Sequence, residues 1–497
     1  MKLKESIKNL VLVLLIISSM TLTWNIWFSE ELWPNGYNSF PYEENIFSSI
    51  GRKIVSYFRT GGEETAFHYN QLFYPKQIRV NINGKKELIR HDSEHFASIN
   101  NQVQDILERF LENPVVTEIS EDELKKAYRA ASVYLDYYDE ISLQAVGAYF
   151  GKNLPGELNP IKKFKHLVFS LRGSTQEMNL FLTDSVSGKN YQLTAKGDLS
   201  ELMKKASSAA GGAASGEAQS NNYPFSFENN FDKLSRETGT RLPIDSYVII
   251  SLVPESVKAV EGEVLLPVGD SQTLATLSRL IEAFSINIGS ARRFTDSTGA
   301  YNYVENFAAL KINPGGLMEY SSTNAEKGIR LDKNASDEYD LIKSVGNFVN
   351  LINSIVPGNT NTLVYHNMTE MGKDKYKFTF HSLVGGVPLK IAQTLSNGET
   401  MENAVEVIVE KNNIISYRQL FVNCRITDQT VANVSAIEAM DGFYSAYHGA
   451  WENVTIDDFY LVYEYDQGGG NVLPKWFFRL SNGEDILFDL NGGTDAE

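Results

Sequence analysis

The sequence predicts an α+β fold: a single N-terminal transmembrane helix followed by three mixed α/β extracytoplasmic domains with antiparallel sheets, the last two related by duplication. Three observations predict it. Nineteen residues, 10–28, carry no ionisable side chain, strand and helix signals alternate through the rest of the chain, and one order of elements recurs in the second half.

The first element is the span. Nineteen helical residues rise about 28 Å, close to the hydrocarbon thickness of a bilayer. Trp24 and Trp27 stand at its end, where an amphipathic ring prefers the headgroup layer, and are expected to anchor it at the membrane interface; Trp33 falls just beyond. Lys2, Lys4 and Lys8 precede the run and Glu30 and Glu31 come after it, so the N-terminus is expected in the cytoplasm and the bulk of the chain outside. A cleaved signal peptide is the alternative, but it has a shorter apolar region and a small-residue cleavage site, which nothing after Met20 offers.

The expected organisation is a cytoplasmic tip and anchor at 1–28, an N-terminal α+β domain at 29–205, a flexible linker at 206–222, a central α+β domain at 223–395 and a C-terminal α+β domain at 396–497. In the first domain "KQIRVNI", the turn Asn83-Gly84 and "KELIRH" read as a hairpin, and "SINNQVQDILERFLE" reads as a helix. "KHLVFSLRG", "EMNLFLTD" and "KNYQLTA" read as antiparallel strands. The stretch "ASSAAGGAASGEAQSNN" has no apolar periodicity and reads as the linker. Beyond it, "FAALKINPGGLMEY" and "VEVIVEKNNIISY" are both strand, turn and strand closing on a tyrosine, Tyr320 and Tyr417. Each is followed by a helical stretch, a Leu-Val-Tyr strand (Leu363–Tyr365, Leu461–Tyr463) and a further strand pair, which reads as two related units.

Composition narrows the function. The formal net charge is −17, and the first 28 residues hold three Lys against one Glu, leaving −19 outside. Such a surface repels phosphate backbones, so no nucleic-acid partner is expected. One cysteine, Cys424, excludes a disulfide framework, and its apolar strand-like setting reads as a small buried hydrophobe.

Two short motifs suggest chemistry. "HDSEH", His91 to His95, fits an H-x-x-E-H zinc pattern, but "KELIRH" reads as a strand with Asp92 or Ser93 as helix N-cap, which puts His91 off the helix. "VLLPVGDSQTLATL" contains Gly269-Asp270-Ser271, which resembles the first block of GDS-type esterases, yet the D-x-x-H that family needs late in the chain occurs only at Asp92 to His95. Helix capping by Asp270 or Ser271 explains the stretch better. No catalytic residue, cofactor or metal is expected.

The basic N-terminus, a span ending "LTWNIW", a proline shortly after, and the β-rich finish "YLVYEYDQGGGNVLPKWFFRLSNGEDILFDL" resemble the YycH/YycI family, chiefly over residues 1–35 and 363–497. Length and the repeated second half are most like the longer YycH branch, and the last domain is similar to YycI. The resemblance implies a single-pass membrane protein of Gram-positive bacteria, without enzymatic activity. It further implies association with a WalK-type sensor histidine kinase and a YycI-like protein, adjusting WalK/WalR signalling and cell-wall homeostasis. Within the span, Ser18, Thr21 and Asn25 fall within about 60° of one another on a helical wheel, and Ser19 with Thr23 makes a small-xxx-small pair. These five are the expected transmembrane partner contacts. The rival readings are a membrane-anchored cell-envelope hydrolase, acting through "HDSEH" or "GDS", and an envelope structural factor.

Overall fold

The structure, a computed structural model, describes residues 67–490 except 83, 92, 172–176, 212–221, 234–242, 267–270, 332–336, 392, 396–399, 448–453 and 467–470. The expected span and its flanking tryptophans lie outside these residues. Among the described residues no helix is long and apolar enough to cross a membrane.

Seven strands from the first part of the chain form one sheet: β1 (Pro75–Ile82), β2 (Lys85–Ile89), β3 (Val115–Ile119), β4 (Ser132–Ser142), β5 (Lys163–Ser170), β6 (Glu177–Thr183) and β7 (Asn190–Lys196), in the order β2-β1-β4-β5-β6-β7-β3. All its ladders are antiparallel. The β1–β2 hairpin closes at Gly84, φ +77°, where the sequence predicts a turn.

Alternation sends Val133 and Leu135 of β4 into the main core and Tyr134 to the opposite face. The main core is covered by the helix Glu94–Phe110, whose Phe96, Ile99, Val103, Ile106, Leu107 and Phe110 form one apolar stripe. Ser93 caps this helix by accepting the His95 N–H at 3.3 Å, as "HDSEH" predicts. The opposite face is covered by the helix Glu121–Arg129, held at its start by a Ser120–Glu123 capping box.

That opposite face is completed from beyond the Ala/Gly/Ser stretch. Phe225, Phe227 and Ile249 pack with Tyr128, Tyr134, Val168 and Phe181. Arg79, 1% exposed, lies 4.0 Å over the Phe225 ring, donates to Tyr223 O at 2.7 Å and pairs with Glu228 at 2.9 Å. Of the expected linker, residues 206–211 are helical, and 212–221 lie outside the described residues. The helix Ser200–Gly211 takes in its first residues, because alanine is the best helix former and Ala206 is buried in the core.

The remaining strands build a fifteen-stranded sheet and a two-stranded ladder. These are β8 (Glu255–Val264), β9 (Arg292–Thr295), β10 (Tyr301–Val304), β11 (Ala308–Ile312), β12 (Leu317–Ser322), β13 (Ile329–Arg330), β14 (Thr362–Gly372), β15 (Lys375–Val384), β16 (Val387–Ile391), β17 (Gln393–Thr394), β18 (Thr400–Met401), β19 (Val405–Glu410), β20 (Asn413–Leu420), β21 (Val422–Val434), β22 (Ile456–Asp466), β23 (Asn471–Leu480) and β24 (Asp485–Asp489). The path runs β21-β8-β23-β22-β16-β15-β19-β20-β12-β11-β10-β9, and β17 pairs β18 separately. Every strand ladder among the described residues is antiparallel except β16 with β22. The α+β class with antiparallel sheets is therefore as the sequence predicts.

The two stretches read as related share their element order. A hairpin (β11–β12; β19–β20), a helix (Glu338–Ile355; Ala436–Ala446) and a three-strand meander (β14–β15–β16; β22–β23–β24) occur in both. Their closing tyrosines, Tyr320 and Tyr417, stand opposite each other across β12 and β20. The sheet draws strands from both sides of residue 395 and continues through β15 and β19.

Candidate functional site

The two sheets meet at a buried, charged junction. It begins with an irregularity in β4: Asp136 is opposite His166 and Ile141 opposite Phe164, so four residues of β4 span a single residue of β5. Such a bulge bends the strand and re-aims its side chains. Here Tyr138 and Asp139 lie against β14, β15, β22 and β23 of the large sheet.

One network is a box of four charges. Lys76 Nζ of β1 lies 2.7 Å from Asp136 and 2.5 Å from Asp458 of β22, and Lys165 Nζ of β5 lies 2.7 Å from the other Asp458 oxygen. His166 Nε2 approaches Asp136 to 3.2 Å, and Gln77 donates to the same carboxylate at 2.9 Å. Burial pushes both carboxyls up. Lys76 and His166 outweigh it at Asp136, and Lys165 and Lys76 outweigh it at Asp458, holding Asp136 well below and Asp458 below the usual carboxylate range.

The second network is built around Asp139, 2.9 Å from His366 Nδ1 of β14 and 3.0 Å from Arg479 Nη1 of β23. Arg479 also grips Asp485 through Nε at 3.0 Å and Nη2 at 3.3 Å. Tyr138 donates to Gly386 O at 3.1 Å, and its ring stands edge-on to His381 and Tyr460. Val364 and Leu383 complete the apolar packing around it.

Chemically, this arrangement clamps. Asp136, Asp139 and Asp458 are each engaged by cations or imidazoles, and burial raises the Cys424 thiol to about 12, so the thiolate is disfavoured there. Among the described residues no three His, Cys, Asp or Glu side chains are placed to hold a metal ion.

The two histidines of "HDSEH" do not converge. His91 precedes the helix, stacks on Tyr74 at 4.7 Å, and its Nε2 lies 2.7 Å from Lys76 O; burial lowers it to about 4. His95 sits in the first helical turn, 3.6 Å from Glu94. Ser271 opens the helix Ser271–Ala283, while Gly269 and Asp270 lie outside the described residues.

Comparison with known protein families and with curated proteins finds no match. Among solved structures, the crystal structure of YycH from Bacillus subtilis aligns with a TM-score of 0.53 at 11% identity, covering 85% of this chain and 97% of that one. The fold is that of YycH.

Within this YycH-like fold the expected membrane residues, Ser18, Ser19, Thr21, Thr23, Trp24, Asn25 and Trp27, fall outside the described part. Junction residues that sequence reasoning passed over include Asp136, Asp139 and Asp458. One signal was present. "YLDYYDE" and "IDDFY" set carboxylates inside aromatic strand-forming runs, where an unpaired charge is costly.

Proposed function

We propose that this chain is a membrane-anchored extracytoplasmic regulator. It modulates a WalK-type sensor histidine kinase through transmembrane and ectodomain contacts, together with a YycI-like protein. The supporting observation is the YycH-like fold over 85% of the chain, joined to a sequence whose first 28 residues read as a basic tip and an apolar span. On this reading the second half arose by duplication, and the junction keeps the two sheets in register so that a contact made outside is felt at the anchor.

The anchor itself is tested by extraction. Detergent should release the full-length protein from membranes while high salt and carbonate leave it there, because hydrophobic burial is not screened by ions. Recovery in a salt wash would remove the anchor.

The partner face is tested by replacing Ser18, Thr21 and Asn25 together with leucine. Insertion should persist, since the span becomes more apolar. Association with the kinase should weaken by about 20-fold, from three contacts of roughly 0.6 kcal/mol each. Co-purification of the kinase and transcription of its target genes are the readouts. If neither changes, the stripe is tolerated polarity and this mode of coupling is wrong.

A further inference from the structure

At the centre of the junction two imidazoles lie against each other. The ring centroids of His366 and His381 are 3.8 Å apart, and His381 is fully buried. Neither ring nitrogen of His381 has a hydrogen-bond partner within the protein. A fully buried imidazole that no protein acceptor meets is placed to favour the neutral form.

The groups around the pair come from five strands. They are Tyr138 and Asp139 of β4, Lys390 of β16, Tyr460 of β22, Arg479 of β23 and Asp485 of β24. Asp139 is already shared between His366 and Arg479, and Asp485 is held by Arg479. The tyrosines are pushed above their ordinary range and stay neutral. A proton arriving on His381 therefore meets Lys390, Arg479 and the His366 ring, and finds no free acceptor.

We propose that the His366–His381 pair is an acid-released latch: when His381 takes a proton, β4 lets go of the β14–β15 hairpin while both sheets remain folded. The direction comes from linkage. Burial, and then His366, Lys390 and Arg479, lower the His381 value well below 6.5 in the closed state. The closed state's advantage is thus complete above about 6.5 and is lost as pH falls below it, by up to about tenfold per pH unit for each proton taken on opening. His366 adds to this in the same direction, since burial lowers it despite Asp139.

Amide hydrogen exchange on the full-length protein in detergent micelles tests the latch independently of any kinase. Between pH 7.5 and pH 5.5, after correction for intrinsic rates, peptides covering β4, β14 and β15 should lose protection at least about tenfold and regain it on return. The helix Glu94–Phe110 should keep its protection. His381→Phe should match the wild type at pH 7.5 and lose most of the pH response. An unchanged response in that variant, or unchanged protection in the wild type, overturns the proposal. Should His381→Phe fail to fold, titration of the wild-type His381 ring by NMR decides: a value well below 6.5 supports the latch, and one at or above 6.5 overturns it.

Discussion

Replacing Lys76 with methionine is expected to lower the unfolding free energy by about 3 kcal/mol at pH 7. Methionine keeps most of the volume of the lysine stem but removes the cation that bridges Asp136 and Asp458. Breaking a buried pair from one side costs about 3–5 kcal/mol because the remaining charge is left uncompensated. The low end applies here, since Lys165 still reaches Asp458 and His166 still faces Asp136. The loss should also depend on pH. Carboxyls held below their ordinary range contribute stability that is present above about 4 and is lost as pH falls through the lowered value. Without Lys76 both carboxyls rise, so the variant loses less on acidification. The gap between the two proteins should therefore hold from pH 7 down to about pH 4 and narrow between about pH 4 and pH 3. Chemical denaturation of both at these pH values measures this, and a loss under about 1 kcal/mol, or a gap indifferent to pH, would mean that water already screens these charges.

A comparable loss, about 3 kcal/mol, is expected for Gly386→Ala. Gly385 and Gly386 form the two-residue turn between β15 and β16 with φ of +56° and +82°, a pairing that glycine adopts freely. A methyl group on Gly386 would sit 2.0 Å from His91 Cβ, and His91 is wedged in place by Tyr74 and Phe96. The same turn supplies the carbonyl that Tyr138 bonds, so displacing it loosens the junction from the other side. Gly84→Ala is the reference. It too has a positive φ, +77°, but no atom within 4 Å of an added methyl, so it should cost only the backbone term of about 1 kcal/mol. Equal losses for the two variants would show that His91 gives way without cost.

How much of this is legible in the sequence depends on the range of the interactions. Hairpins, helix caps and the strand order within each meander rest on residues a few positions apart, and "KQIRVNI", Gly84 and Ser93 declare them. Lys76 and Asp458, by contrast, are 382 positions apart. No local periodicity links them, and nothing in "KQIRVNI" says that the lysine is buried. Asp136 and Asp139 do carry a hint, because a strand aims residues two apart to one side and these are three apart, a spacing that a bulge reconciles. The Ala/Gly/Ser stretch misleads for the opposite reason: alanine forms helix without any apolar pattern, so periodicity cannot reveal where the helix ends. "HDSEH" reads correctly as a capped helix start, yet the role of His91 against Gly386 depends on a turn almost three hundred residues away.

The return of residues 222–233 and 243–250 onto the first sheet also sets an order of events as the chain emerges. Strands β1 to β7 are complete at Lys196, but one face of their sheet, with Tyr128, Tyr134, Val168 and Phe181, waits for Phe225, Phe227 and Ile249. At 5–20 residues per second, roughly 3–10 s separate the last strand from its cover. During that interval an aromatic surface and the Arg79 guanidinium stand open on a nascent chain. The Ala/Gly/Ser stretch lies within that interval, and its length sets how long the chain must be guarded before its first sheet is closed.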